Sequence, residues 1–166
     1  MIEVREQSNT IYLGPREGQT VRMSGAQLLT CKVSGEQTGG AYSLFEAAVG
    51  PGGGPLPHIQ HREDECFYVL EGRFEFVIEG ARIEVGTGSS IYVSKGNLHA
   101  FENTGTTTGR LLVSQTPGGG YEGFVEQVGE PATGEITPAA TEGLKEAEKL
   151  AAVGAEYGVE MVPPPP

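Results

Sequence analysis

The chain is short of basic residues, of cysteines and of long apolar runs, and each shortage excludes a class of protein. Its 11 lysines and arginines stand against 22 aspartates and glutamates, for a formal net charge of −11. The clustered positive charge that nucleic acids or anionic membranes require is therefore missing. Two cysteines are too few for a disulfide framework, so we expect a cytoplasmic location. No run is long enough to span a membrane, and we expect no secretory signal, since the N-terminus lacks an apolar core.

Glycine is abundant instead, with 26 among 166 residues. The glycines separate short apolar runs, which is typical of a turn-rich β protein, and the length suits one domain. Many short strands at regular spacing predict a sandwich or a small barrel. We predict strands near Thr10–Leu13, Gln27–Val33, Tyr42–Val49, His58–His61, Cys66–Leu70, Arg73–Ile78, Ala81–Val85, Ser89–Val93, His99–Asn103 and Arg110–Gln115.

Two Glu-Gly pairs indicate where the chain reverses. We predict that the strands before and after Glu71-Gly72 pair as a hairpin, and that those around Glu79-Gly80 do the same, since Gly accepts the positive φ of a tight turn. After Pro117 the pattern becomes helical, with a short helix predicted over Tyr121–Val128 and an amphipathic helix over Ala139–Tyr157. We therefore divide the chain into a barrel with N-terminal strands (1–116) and a helical extension with a Pro-rich tail (117–166).

All three histidines lie in two short segments bracketed by glycines. Residues two apart on a strand face the same side, so His58 and Gln60 point together and His61 points away. The charged triplet at 62–64 indicates a solvated turn, after which we expect Glu65 to face inward. His99 opens a later strand, and we expect these side chains to lie on adjacent strands.

His58, Glu65 and His99 form a set of two imidazoles and one carboxylate, which leaves open coordination positions on a metal. We predict one divalent transition metal here, either Fe, Mn, Ni, Cu or Zn. Gln60 is interpreted either as a fourth ligand or as a hydrogen-bonding partner of the ligands. The same strand parity turns Cys66 away from the metal, where we expect a buried apolar residue rather than a nucleophile.

The order of these residues resembles the two signature motifs of the cupin superfamily. The first motif is Gly-x5-His-x-His-x3–4-Glu-x6-Gly, and its counterparts here are Gly52, His58, Gln60 (in place of the second histidine), Glu65 and Gly72. The second motif is Gly-x5-Pro-x-Gly-x2-His-x3-Asn, and its counterparts are Gly88, Ser94 (in place of proline), Gly96, His99 and Asn103. The resemblance covers about residues 40–116. Within the superfamily, the block from His61 to Gly72 looks most like small single-domain cupins of the quercetin dioxygenase-like group.

This resemblance implies an all-β double-stranded β-helix, the cupin or jelly-roll barrel, here with a C-terminal helical extension. It also implies that His58, Glu65 and His99 bind the metal. As a function we expect a metal-dependent dioxygenase acting on a small aromatic or enolic substrate, with O2 as the second substrate and Glu65 as the catalytic base. The substrate pocket is predicted to be formed by Phe67, Phe76, Ile91 and Phe101.

Two alternatives stay open, because fold membership does not select an activity. One is a non-oxidative cyclase or isomerase that uses the metal as a Lewis acid. The other is a cupin that binds a small molecule without catalysis. In each case we expect a homodimer, since the exposed sheet edges of a single barrel need cover.

Overall fold

The computed structural model describes residues 10–136 and 144–163, with the backbone alone for residues 144 and 145. The N-terminus that was predicted to lack a secretory signal (1–9), the start of the helix predicted over Ala139–Tyr157 (137–143) and the end of the Pro-rich tail (164–166) lie outside the described residues. The described elements, in chain order, are β1 (Gln19–Met23), β2 (Gln27–Val33), β3 (Ser43–Val49), β4 (His58–Gln60), β5 (Asp64–Glu71), β6 (Arg73–Ile78), β7 (Ala81–Gly86), β8 (Ser90–Val93), β9 (Leu98–Asn103), β10 (Gly109–Thr116), α1 (Gly120–Val128), β11 (Glu130–Pro131), α2 (Leu144–Tyr157) and β12 (Val159–Met161).

Within the described residues the strands form two antiparallel sheets, here called sheet A and sheet B. Sheet A has the order β11-β1-β2-β3-β10-β5-β8, and sheet B has the order β12-β4-β9-β6-β7. The chain passes repeatedly from one sheet to the other, as it does between β4, β5 and β6. The all-β double-stranded β-helix with a C-terminal helix is thus confirmed.

Alternation along the strands builds the core between the two sheets. In β3, β5 and β10 every second residue is buried, and these inward positions carry apolar side chains such as Phe45, Val69 and Leu111. Phe67 of sheet A meets Phe76 and Phe101 of sheet B, with ring centroids 5.1 and 5.7 Å apart. Burial of each ring stabilises the fold by roughly 1.5–3 kcal/mol.

The outer face of β5 differs from the expectation at one residue. Cys66 points away from the core as predicted, but it is exposed rather than buried. The reason is that this face of sheet A is open to solvent, and Tyr68 and Tyr92 on the same face are exposed as well.

One of the two predicted hairpins is confirmed and the other is wrong. β6 and β7 pair around Glu79 and Gly80, whose φ angles are 48° and 82°. β5 and β6 do not pair, because the chain crosses between sheets at Gly72, where φ is 97°. A Cβ atom at Gly72 would lie 3.0 Å from the Cα atom of Gly109, so this corner favours glycine.

The predicted strand at Thr10–Leu13 is absent, and the first strand of the described chain is β1 instead. β1 pairs with β2 through a tight turn in which Gly25 and Ala26 have positive φ. The segment Gln-Thr-Val-Arg-Met that forms β1 has too little apolar alternation to be recognised as a strand. Its pairing with the buried β2 stabilises it.

The C-terminal extension adds one strand to each sheet, which the sequence did not indicate. α1 agrees with the predicted helix, and α2 lies inside the predicted range. β11 pairs with β1 in sheet A, while β12 pairs with β4 in sheet B. The division of the chain at residue 116 stays a prediction.

Neither described helix has the length and apolar character of a membrane-spanning helix.

Candidate metal centre

The two motif histidines face each other across sheet B. β4 and β9 are antiparallel neighbours with His58 directly opposite His99, and their ring centroids are 4.4 Å apart. Glu65 projects from β5, which belongs to sheet A rather than to a strand adjacent to the histidines, so that part of the expectation is corrected. Potential ligand atoms of His58, Glu65 and His99 all lie within 4.8 Å of one another. The sandwich therefore supplies imidazoles from one sheet and a carboxylate from the other.

Backbone carbonyls orient both imidazole rings. His58 Nδ1 lies 2.8 Å from the carbonyl oxygen of Leu56, and His99 Nδ1 lies 3.1 Å from that of Asn97. A carbonyl oxygen only accepts, so each Nδ1 carries the proton and each Nε2 keeps its lone pair for another partner. This is the tautomer that a metal-binding histidine needs.

Glu65 is held from two sides. Its Oε1 accepts a hydrogen bond from Gln115 Nε2 at 2.6 Å, and its Oε2 lies 2.5 Å from His99 Nε2. Oε2 and Nε2 are both buried, and neither has a hydrogen-bond partner of good geometry among the described residues. Two electron-pair donors in close contact, both enclosed, are typical of groups that share a cation or a proton.

Burial and charge set the protonation of these groups. Burial lowers the pKa of His58 to about 4, and His99 acts in the same direction, so His58 is neutral at physiological pH. Burial alone would raise the pKa of Glu65, but His99, His58 and the Gln115 hydrogen bond together lower it. Burial likewise works against a proton on His99, yet pairing with Glu65 raises the pKa of His99. In the protein without metal, the Glu65–His99 pair therefore retains a proton with which a cation would compete.

Gln60 lies beside this group and is 1% exposed. Neither atom of its side-chain amide has a hydrogen-bond partner among the described residues. Leaving a buried amide unpaired destabilises a protein by about 1–3 kcal/mol. Because the Gln60 oxygen has no partner among the described residues, it is available to a further ligand. His58, Glu65 and His99, with this free amide beside them, fit a divalent transition metal by their donor chemistry, and this chemistry alone does not select one metal.

Residues next to the ligands follow the predicted parity with one exception. His61 is exposed and its Nε2 lies 2.6 Å from Glu160 Oε2 on β12, well away from the inward-facing group. Glu63, expected in a solvated turn, is only 2% exposed. Burial and the charge of Glu65 raise the pKa of Glu63 to about 7.

An apolar cavity opens beside the ligand group. Its empty space, with the solvent at its open mouth included, is about 700 Å³. The cavity is lined by Met23, Ser24, Gln27, Leu29, Phe45, Ala47, Pro55, Leu56, His58, Glu65, Phe67, Phe101, Val113, Gln115, Tyr121, Phe124, Leu150, Val159 and Met161. Such a lining suits a small organic molecule.

Of the four predicted pocket residues, Phe67 and Phe101 line this cavity, whereas Phe76 and Ile91 do not. Phe76 is fully buried behind those two rings. Ile91 lies on the edge strand β8 and packs at the side of the core. Inward parity thus places these two residues in the core without bringing them to this cavity.

Four polar residues that line the cavity were missed, namely Ser24, Gln27, Gln115 and Tyr121. Gln115 occupies an inward position of β10 after Leu111 and Val113, and a polar residue in that series was a usable signal. Tyr121 lies on α1, after a run of glycines, where no motif marks it.

The fold and the site define a class: β-sandwich proteins that enclose a histidine- and glutamate-lined group able to bind metal beside a small-molecule cavity. A family model for the cupin domain matches residues 45–114, less than half of the chain. The ligand-bearing strands β4, β5 and β9 all fall inside that match. This part of the chain is thus similar to the cupin domain.

Three comparisons show how far the likeness extends. An uncharacterized protein of Methanocaldococcus jannaschii is 33% identical over 75 residues, which are 45% of this chain and 60% of that protein. The quercetin 2,3-dioxygenase of Bacillus subtilis is 24% identical over 123 residues, 74% of this chain and 36% of that enzyme. The structure of the polyketide cyclase RemF of Streptomyces resistomycificus has a TM-score of 0.56 and 27% identity, over 64% of this chain and 79% of the cyclase. This chain thus spans less than two thirds of either curated relative.

Proposed function

We propose that the protein is a metal-dependent cupin enzyme, a dioxygenase that acts on a small aromatic or enolic compound. The observation that carries the proposal is the buried group of His58, Glu65 and His99 at the wall of an aromatic-lined cavity. These three residues would hold the metal, with Gln60 as a fourth ligand. The similarity to a quercetin dioxygenase supports the oxidative chemistry.

When bound, a divalent metal would supply a Lewis acid for a substrate oxygen and, if redox-active, an electron acceptor and donor for O2. The chain's own residues do the rest. Gln115 donates to Oε1 of Glu65, which leaves Oε2, beside His99, as the oxygen that would bind the metal and accept a proton from a substrate hydroxyl. Phe67 and Phe101 offer ring faces to an aromatic or enolic substrate and exclude water from it.

A non-oxidative cyclase or isomerase is the second candidate, and two observations favour it. Gln60 replaces an imidazole by a neutral amide, a ligand for which redox chemistry has no special need. A polyketide cyclase of the same fold also shares 27% identity with this chain. In this case Glu65 has the same role as base, and no O2 is consumed.

Elemental analysis of protein purified without chelator, followed by turnover and O2 uptake with a panel of enolic and phenolic compounds, tests the proposal. We expect one divalent metal per chain, and we expect Glu65→Gln to suppress turnover more than it reduces metal content. Turnover without O2 uptake would select the cyclase or isomerase. Protein without metal affinity in the micromolar range would refute both enzymes and leave a binding protein.

We also propose a homodimer. The outer face of sheet A exposes Tyr68 and Leu70 on β5 and Tyr92 on the edge strand β8. An edge strand with such apolar side chains favours pairing with a second copy. Light scattering at low micromolar concentration should give twice the 17.5 kDa of the chain. A single species of 17.5 kDa would refute the dimer.

A further inference from the structure

Part of the cavity wall comes from the C-terminal extension and lies outside the cupin match. α1, α2 and β12 contribute Tyr121, Phe124, Leu150, Val159 and Met161 to the lining. The ligand group lies on strands of the cupin region, whereas this wall belongs to the segment that follows it. The two parts of the cavity therefore have separate origins in the sequence.

Tyr121 is the member of this wall that carries a hydroxyl group. Its ring packs against Phe45, with centroids 6.1 Å apart in an edge-to-face contact, and against Phe124 at 5.7 Å. Another tyrosine of the extension, Tyr157, donates to Gln127 Oε1 at 3.0 Å. The Tyr121 phenol has no such partner among the described residues. A fixed ring with an uncommitted hydroxyl lining a cavity is suited to bind a ligand.

The surroundings keep this phenol protonated. Burial raises the pKa of Tyr121, and the negative charges of Glu65 and Glu63 raise it further. Tyr121 is therefore a neutral hydrogen-bond donor at any physiological pH. Tyr121 and Glu65 line the same cavity, so the phenol and the ligand group face one enclosed space.

Other donors for a substrate oxygen are scarce in the cavity. No lysine or arginine belongs to its lining among the described residues. The side-chain amide of Gln27 donates to the carbonyl oxygen of Ser24, and that of Gln115 donates to Glu65. An oxygen that carries negative charge in an enolate or phenolate needs a donor. The lining offers the hydroxyl groups of Ser24 and Tyr121, and the aromatic hydroxyl is the stronger donor.

We propose that the Tyr121 phenol donates a hydrogen bond to a substrate oxygen and so selects small enolic or phenolic compounds with two neighbouring oxygens. The inference rests on the proposed function, since the metal held in the ligand group would bind the two oxygens and Tyr121 would donate a hydrogen bond to one of them. It assigns substrate selection to the C-terminal extension.

Tropolone, a small enolic ketone with two adjacent oxygens, is a suitable probe, and Zn²⁺ is a suitable metal because it has no redox chemistry. The experiment titrates zinc into metal-free protein and then tropolone into the zinc form, followed by absorbance and calorimetry. Tyr121→Phe keeps the ring and removes only the hydroxyl. We expect its zinc affinity to equal that of the wild type and its tropolone affinity to fall about tenfold to a hundredfold, as for a hydrogen bond to a charged group.

Two controls separate this role from a structural one. Tyr157→Phe removes a phenol oxygen from the same extension outside the cavity, and it should bind tropolone like the wild type. Imidazole binds zinc through nitrogen and offers no oxygen acceptor, so it should bind wild type and Tyr121→Phe alike. Equal loss of imidazole and tropolone, or tropolone affinity within twofold of the wild type, would overturn the inference while the metal function stands. Wild-type protein that binds no zinc would overturn the proposed function itself.

Discussion

Replacing Gln60 by leucine should raise the stability of the metal-free protein and reduce the further stabilisation that metal binding provides. The buried amide has no hydrogen-bond partner among the described residues, and it lies beside His58, two residues away on β4. Leucine has a similar volume and no polar atoms. It therefore removes the penalty of the unpaired amide together with a potential ligand.

The magnitudes follow from these contacts. An unpaired buried amide destabilises a protein by about 1–3 kcal/mol, which for a chain of this size corresponds to roughly 2–12 °C in Tm. Metal-free Gln60→Leu should therefore melt higher than the wild type. At a metal concentration about 100 times the wild-type Kd, binding stabilises the wild type by about 2.7 kcal/mol, but a variant with about tenfold weaker affinity gains only about 1.4 kcal/mol. The metal-induced rise in Tm should thus be about half as large in the variant.

Thermal unfolding with and without Zn²⁺, monitored by circular dichroism, measures both effects. Gln27→Leu is the matched control, because Gln27 is also buried but its amide donates to Ser24. That variant should melt lower than the wild type and keep the full metal-induced shift. If metal-free Gln60→Leu melts at or below the wild-type temperature, the amide is paired in solution and the reasoning fails. An unchanged metal-induced shift would remove Gln60 from the ligand set.

Three further predictions concern neighbouring groups. Gln115→Leu removes a donor to Glu65 and so raises the pKa of that carboxyl; zinc titrations between pH 5 and 8 should show affinity lost at a higher pH than in the wild type. Asn103→Ala removes bonds to the carbonyls of Val49 and Thr107 and should lower the stability by roughly 2–4 kcal/mol in urea unfolding, with zinc affinity within threefold of the wild type. The pKa of His58 is about 4 in the folded protein, whereas the ordinary value of 6.5 applies to the unfolded chain. Between these pH values the unfolded chain binds more protons, so the stability falls as the pH decreases from 6.5 to 4. Between pH 7 and 5, the Tm of metal-free His58→Gln should therefore decrease by less than the Tm of the wild type. An equal decrease would contradict the pKa assignment.

Much of the barrel was predictable because its signals are local. Alternation along β5 placed Glu65 and Phe67 inward and Cys66 outward, and the spacing of the two motifs indicated which histidines converge. The exposure of Cys66 was not predictable, because strand parity gives the face of a sheet but not what covers that face.

The missed features depend on long-range pairing. β1, β11 and β12 are short, and each exists because a more strongly patterned strand offers it hydrogen bonds. The burial of Glu63 likewise follows from tertiary packing, since Gly120 of α1 lies so close that a Cβ there would clash with Oε1 of Glu63. No pattern within residues 62–64 encodes that contact.

The pairing of β12 with β4 also sets an order of events during synthesis. His58 lies on a three-residue strand between β9 and β12, and Met161 is its partner in the register with β12. A growing polypeptide on the ribosome can bring residues 58, 65 and 99 together long before residue 161 has left the exit tunnel. Until then β4 is hydrogen-bonded along one side only, so a nascent chain should capture a cation less firmly than the finished protein does.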